Sequence, residues 1–167
     1  MRVWVLGLIL AITGCGYAPA SYYAKSVVGE SVSTDVVISM EDPQNTVLIK
    51  DAVDRAVITK FRTALKSKNE ALTHLKIAVS SVAFTPLRYD TNGYVVTYRT
   101  TVSMSIDKTL NGEKSTYTTH GIYDFDIEPN SIISDQSRFE AISQGAQKAI
   151  DTFVAEVSAQ GARLSKE

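Results

Sequence analysis

The chain has 167 residues, 44% of them hydrophobic and 21% charged, with a formal net charge of −1. That is enough apolar mass for the core of one ordinary domain. It excludes the global basic field on which non-specific nucleic-acid binding depends, and a single cysteine excludes an internal disulfide.

Met1-Arg2 is followed by an apolar run, Val3 to Ile12. About ten residues is half of what a helix needs to span a bilayer, and it matches the apolar region of a signal peptide. Ile12-Thr13-Gly14-Cys15 then reads as a lipobox. Small residues let the chain lie extended in a peptidase cleft, and the Cys15 thiol accepts a diacylglycerol. Cleavage before Cys15 frees an amine for a further acyl chain. Two or three chains make an anchor durable where one does not. The expectation is a leader over 1–14, N-acyl and S-diacylglycerol lipid on Cys15, and no other cofactor. Gly16 stands where inner-membrane lipoproteins commonly carry Asp, which favours the outer membrane. A buried N-terminal strand or helix is the structural alternative.

Residues 15–33 are small and polar and read as a tether with a short strand near its end. Asp35 to Met40 alternates and is β-branched, a first strand. Asp42 and Pro43 suit the start of a helix. Val47, Leu48, Ala52, Val53, Ala56, Val57, Phe61, Ala64 and Leu65 form its apolar stripe, with Lys66 and Lys68 near its end. Leu75 to Phe84 reads as a second strand. Asn92-Gly93 signals a type I′ hairpin. Tyr94 to Asp107 alternates throughout, with Tyr98, Thr100, Val102, Met104 and Ile106 on one face and Thr97, Arg99, Thr101, Ser103 and Ser105 on the other. Asn111-Gly112 marks another turn before a fourth strand, Ser115 to Ile127. Ser134 or Asp135 can cap a last helix, whose stripe is Phe139, Ile142, Ala146, Ala149, Ile150, Phe153, Val154 and Val157.

The order is β-α-β-β-β-α. It predicts an α+β two-layer sandwich over 34–160: a four-stranded, mostly antiparallel sheet with two long helices on one face, and a tail over 161–167. The other sheet face is left to solvent or a partner.

Catalytic motifs are missing. There are two histidines, His74 and His120, and no nucleophile elbow, phosphate loop or zinc-protease motif. Asp124, Asp126 and Glu128 alternate, so they point to one side. They are either Ca²⁺ ligands or charges that discourage sheet-edge pairing. The hydroxyl-rich face is the more suggestive feature: Thr97, Thr101, Ser103, Thr118 and His120 are its partner-facing candidates. Arg88, Arg99, Lys108 and Lys114, near strand ends and turns, can contact phosphates or simply be solvated.

SYYAK (21–25), EDPQNTVLIKDAV (41–53), FTPLRYDTNGYVVTYRT (84–100) and YDFDIEPNSIISD (123–135), together with the lipobox, resemble the LPS-assembly lipoprotein family (LptE), in particular its ε-proteobacterial branch. The resemblance implies a non-enzymatic lipoprotein. It would be held at the inner leaflet of the outer membrane, facing the periplasm. It would assist assembly of the LPS-transport β-barrel (LptD), plug its lumen and help deliver lipopolysaccharide to the outer leaflet. A different outer-membrane lipoprotein, binding lipid in an apolar cavity or serving an envelope transporter, is the competing reading. An enzyme would require a buried, shifted His120 beside Asp124 or Asp126.

Overall fold

The computed structural model describes residues 27–37 and 63–164, together with Lys50, Asp54, Ile58 and Thr59. Cys15, the leader and the first part of the tether lie outside the described residues. The elements are β1 (Ser31–Val37), β2 (Ala64–Leu65), β3 (Thr73–Tyr89), β4 (Val95–Leu110), β5 (Glu113–Asp126) and α1 (Asp135–Leu164).

They form one open, mixed sheet in the order β2-β1-β3-β4-β5. β1 runs parallel to both β2 and β3, whereas β3, β4 and β5 are successive antiparallel hairpins. The expectation of four mostly antiparallel strands with two helices is therefore corrected to five strands in a mixed sheet and, among the described residues, one long helix. Residues 38–72 between β1 and β3 leave length for the crossover that parallel pairing needs. β2 escaped the sequence reading because two residues carry no period. Ala64 and Leu65 fit the i+3, i+4 spacing of the preceding stripe, yet they pair with Ser31 and Val32. Lys66 and Lys68 consequently do not sit at a helix end.

The helix expected from Pro43 onwards lies mostly outside the described residues. Lys50, Asp54, Ile58 and Thr59 are helical. Lys50 donates to Asp54 over 2.7 Å, one turn apart, and the Thr34 hydroxyl also donates to Asp54, which ties this turn to β1. The folded body reaches back into the expected tether, since Val27 and Val28 are buried and β1 starts at Ser31. At the other end α1 continues through 161–164 into the expected tail.

The core is built as alternation predicts. Leu75 and Ile77 of β3 and Val102, Met104 and Ile106 of β4 meet Ile142, Ala146, Ala149, Ile150, Phe153 and Val157 of α1, all at 4% exposure or less. Tyr117 of β5 packs edge-on against Phe153, ring centroids 5.2 Å apart, and its hydroxyl donates to Gln160 over 2.7 Å. Ser134 is the N-cap: its Oγ accepts the Ser137 amide at 3.1 Å, and its carbonyl accepts the Arg138 amide at 2.9 Å.

Two glycines let α1 sit this low. A Cβ on Gly121 would fall 2.0 Å from the Gly145 carbonyl oxygen and 2.3 Å from the Ala149 nitrogen. Helix backbone thus rests directly on strand backbone.

The two Asn-Gly turns differ. Asn111 and Gly112 both have positive φ, 52° and 85°, as a type I′ turn requires. At the other turn only Gly93 does, at 84°. There the Asp90 carboxylate accepts the amides of Asn92 and Tyr94 at 2.9 and 2.8 Å, and the loop widens to Thr91–Gly93. β3 also runs past the predicted end at Phe84 and through Pro86. Two register breaks follow the proline, between Pro86 and Arg88 and between Arg88 and Tyr89, on a stretch that β1, which pairs only with Thr73–Ala78, does not reach.

Candidate functional site

α1 covers one side of β4 and β5, and the opposite side is an open face set by the even residues of β5 and the odd residues of β4. Cross-strand register arranges it in rows: Thr85–Arg99–Asp124 near the hairpin tip, Ala83–Thr101–Ile122 and Ser81–Ser103–His120 in the middle, and Lys76–Asp107–Thr116 and His74–Thr109–Lys114 at the far end. The middle is uncharged and hydroxyl-rich. Thr101 and Ser103 are half-buried by their neighbours, while Thr118 and His120 are exposed.

The tip end is charged but internally neutralised. Arg99 grips Asp124 with two bonds of 2.8 Å. That bidentate bond holds the Asp124 carboxyl below the usual carboxylate range and raises the already high Arg99 pKa. Arg88 bonds Asp126 at 3.2 Å, and the buried Thr97 hydroxyl donates to the same carboxylate at 2.6 Å. Two of the three alternating acids, Asp124 and Asp126, are therefore occupied by arginines, and among the described residues no cluster of three or more metal-ligating side chains occurs.

The four cations nominated from sequence have separate surroundings. Arg88 and Arg99 lie in these ion pairs. Lys108 is not on the open face. Its even position sends it to the core side, 7% exposed, where it reaches the Val27 carbonyl at 3.4 Å and lies 6.0 Å from the Tyr117 ring centre. Burial pushes its pKa down. Lys114 alone is exposed with no ion pair among the described residues.

Lys114 belongs to a pocket of about 620 Å³ that sequence reading did not find. Its floor is His74, Lys76, Asp107 and Thr109; one wall is the loop with Lys68 and Leu72, and the other is the Asn111-Gly112 turn. The signal existed, since His74 and Lys76 alternate in β3 and share the polar side. The pocket needs the 66–72 loop and the β4–β5 turn to rise together, which no local pattern announces. His74 Nδ1 bonds Ser33 Oγ at 2.8 Å. Partial burial, then Lys68, lower its pKa, against an opposing pull from Asp35.

The hairpin tip carries a different surface. Phe84, Tyr98 and Phe125 cluster with centroid spacings of 6.2 and 6.1 Å, and the Arg138 guanidinium caps Phe84 at 5.1 Å. Beyond it, Leu87, Tyr89 and Tyr94 are 46, 57 and 45% exposed.

The model of the lipopolysaccharide-assembly family LptE matches residues 34–157. The chain belongs to the LptE family. No curated protein matches this LptE chain in sequence. Among solved structures, rare lipoprotein B of Shewanella oneidensis superposes with a TM-score of 0.51 at 14% identity, covering 81% of this chain and 98% of that one. Lipoprotein B of Nitrosomonas europaea gives 0.53 at 13%, covering 80% and 84%. A minor lipoprotein of Acinetobacter baumannii gives 0.51 at 9%, covering 80% and 94%. At these identities the likeness speaks for the fold alone. Among the described residues no helix is long and apolar enough to cross a membrane.

Proposed function

We propose that this LptE chain is a lipoprotein anchored through acylated Cys15 to the inner leaflet of the outer membrane. There it supports assembly of the lipopolysaccharide-transport β-barrel, occupies the barrel lumen and helps pass lipopolysaccharide to the outer leaflet. The role is one of binding and scaffolding rather than catalysis. The observation that carries the reading is the open sheet face. Its middle is uncharged and rich in Thr and Ser, and the arginines at its tip end are paired with aspartates, which suits the polar interior of a large barrel. Its hydroxyls bond in many geometries. The exposed Leu87, Tyr89 and Tyr94 at the tip add the apolar contact expected of a partner-binding surface.

A lipid-carrying module would need an apolar cavity between helix and sheet. The contact of Gly121 with Gly145 and Ala149 brings the two backbones together where such a cavity would open.

The test is affinity purification of the full-length, lipidated protein from detergent-solubilised outer membranes. A large β-barrel should co-purify in equal amount. Thr101→Arg and Ser103→Arg, which place a bulky charge on the open face, should reduce its recovery at least several-fold while leaving the fold intact. Absence of any barrel would overturn the proposal.

A further inference from the structure

β5 ends the sheet, with β4 as its one strand neighbour among the described residues. The hairpin decides which of its backbone groups are left over. In a two-residue type I′ turn the flanking residues, here Leu110 and Glu113, exchange both backbone bonds, and the pattern alternates from there. The β4–β5 register runs without a shift to Asp126. Odd-numbered residues of β5 therefore bond β4, and even-numbered residues point N–H and C=O away from it. A contact from α1 confirms the parity: the Thr152 hydroxyl donates to the outward His120 carbonyl at 3.3 Å.

Sheet edges are commonly blunted by a bulge, a proline or an outward charge. Across its 14 residues β5 has no proline and no register shift. Ser115 to Tyr123 holds no Asp, Glu, Lys or Arg and is rich in Thr and Tyr. Asp124 and Asp126 are drawn back over the sheet by Arg99 and Arg88. A straight, uncharged edge of this kind is a template for another strand.

α1 decides what can lie there. Its backbone rests on β5 at Gly121, where a Cβ would fall 2.0 Å from the Gly145 oxygen. It then follows the strand, with Phe153 and Gln160 meeting Tyr117. A closed pair of copies would join β5 to β5 antiparallel about a two-fold axis, with both helices on one side of the sheet. Paired strands lie about 4.8 Å apart, whereas packed helices need axes about 8–10 Å apart. Two copies of α1, each seated on its own β5, would collide. The overhang of α1 also requires small side chains on that side of an incoming strand. On the open side Lys114 is exposed, with no ion pair among the described residues. Its neighbour Glu113 lies by parity on the α1 side, where its charge acts on Lys108. A carboxylate opposite Lys114 would complete that row.

We propose that the β5 edge binds an extended strand of another protein, antiparallel and bare on its α1 side, with small residues toward α1 and a carboxylate toward Lys114. Backbone bonds to Thr116, Thr118 and Ile122 supply the affinity, and the α1 overhang and Lys114 supply the selectivity. This surface is the rim of the sheet, apart from the open face on which the reading above rests.

The experiment uses the full-length protein in detergent and follows amide exchange by NMR. The probe is a nine-residue peptide, acetylated and amidated, that alternates Thr and Ala and ends in Glu. Antiparallel docking sets its Glu against Lys114 and an alanine against Thr119. In the free protein the amides of Thr116, Thr118 and Ile122 should exchange at least about a hundredfold faster than those of Tyr117 and Thr119. The peptide should slow those three at least about tenfold. Lys in place of its Glu should weaken binding at least about threefold, and Lys114→Glu should reverse that preference. Exchange at Tyr117 and Thr119 checks that this variant is folded. Trp in place of the alanine opposite Thr119 should abolish protection. Edge amides already slow without peptide, or slowed by raising the protein concentration, would overturn the proposal, the second by showing a second copy on the edge. So would a peptide that leaves them fast, a Trp peptide that protects equally, or a charge preference that survives Lys114→Glu.

Discussion

Gly121→Ala tests whether α1 is held by direct backbone contact. The added methyl would lie 2.0 Å from the Gly145 oxygen, 2.3 Å from the Ala149 nitrogen and 2.9 Å from the Lys148 carbonyl carbon. All three are helix backbone, so no side chain can rotate away. Restoring an ordinary separation requires α1 to lift by about 1.4 Å, from 2.0 to 3.4 Å. A gap of 0.5–1 Å already forfeits roughly a quarter to a half of a dispersion well. The seam that loosens contains Ile142, Ala146, Ala149, Ile150 and Phe153, all buried. The cost should be about 3–5 kcal/mol, like a large core truncation. That is a substantial share of a stability of roughly 5–15 kcal/mol. Thermal unfolding by circular dichroism should show Tm about 10 °C lower or more. Gly145→Ala is the internal comparison. Its methyl would meet Val102 Cγ2 at 2.7 Å, the end of a side chain, and it gains about 1 kcal/mol of helix propensity. It should be much the milder change. If Gly121→Ala melts within 2 °C of the parent, or if Gly145→Ala is the more damaging, the contact does not hold α1 as described.

Ser134→Ala removes the cap of α1 and should cost about 1 kcal/mol in urea unfolding; an unchanged midpoint would show the cap to be redundant. The Thr119 hydroxyl is buried without a hydrogen-bond partner, so Thr119→Val should stabilise by about 1 kcal/mol, and a loss of stability would refute that. His74 has a folded-state pKa below its ordinary value of 6.5, chiefly through burial. As pH falls below about 6.5 the unfolded chain takes up that proton first, so this stabilisation, complete above 6.5, is lost down through the folded pKa. Melts between pH 7.5 and 5 should show that loss, and His74→Gln should flatten it. A slope unaltered by His74→Gln would place its origin elsewhere.

Strand alternation, the helix stripe and the Ser134 cap were legible because each rests on local spacing and chemistry. Period two in β4 and β5 separated the covered face from the open one, and the structure keeps that division. The same rule already implied that Lys108, at an even position, belongs with Met104 and Ile106. Its charge had suggested a surface role, and the buried side chain reaching the Val27 carbonyl follows the period instead. The partners of Arg88 and Arg99 were not legible, since Asp126 and Asp124 reach them only through the β3–β4–β5 register.

Sequence by itself determined the elements with a repeating pattern, the two-faced sheet, the lipobox expectation at Cys15 and the family resemblance. These depend on periodicity, turn chemistry or a run of matching residues. Tertiary structure decided what depends on distant chain segments meeting. Ala64 and Leu65 became a strand because β1 offered an edge. β1 became parallel to β3 because residues 38–72 could cross over. Gly121 and Gly145, unremarkable 24 positions apart, became the point where helix and sheet backbones touch. The lysine pocket arose where the 66–72 loop and the Asn111-Gly112 turn rise on either side of His74 and Lys76. Spacing along the chain encodes direction relative to a face, and only folding supplies the neighbour on that face.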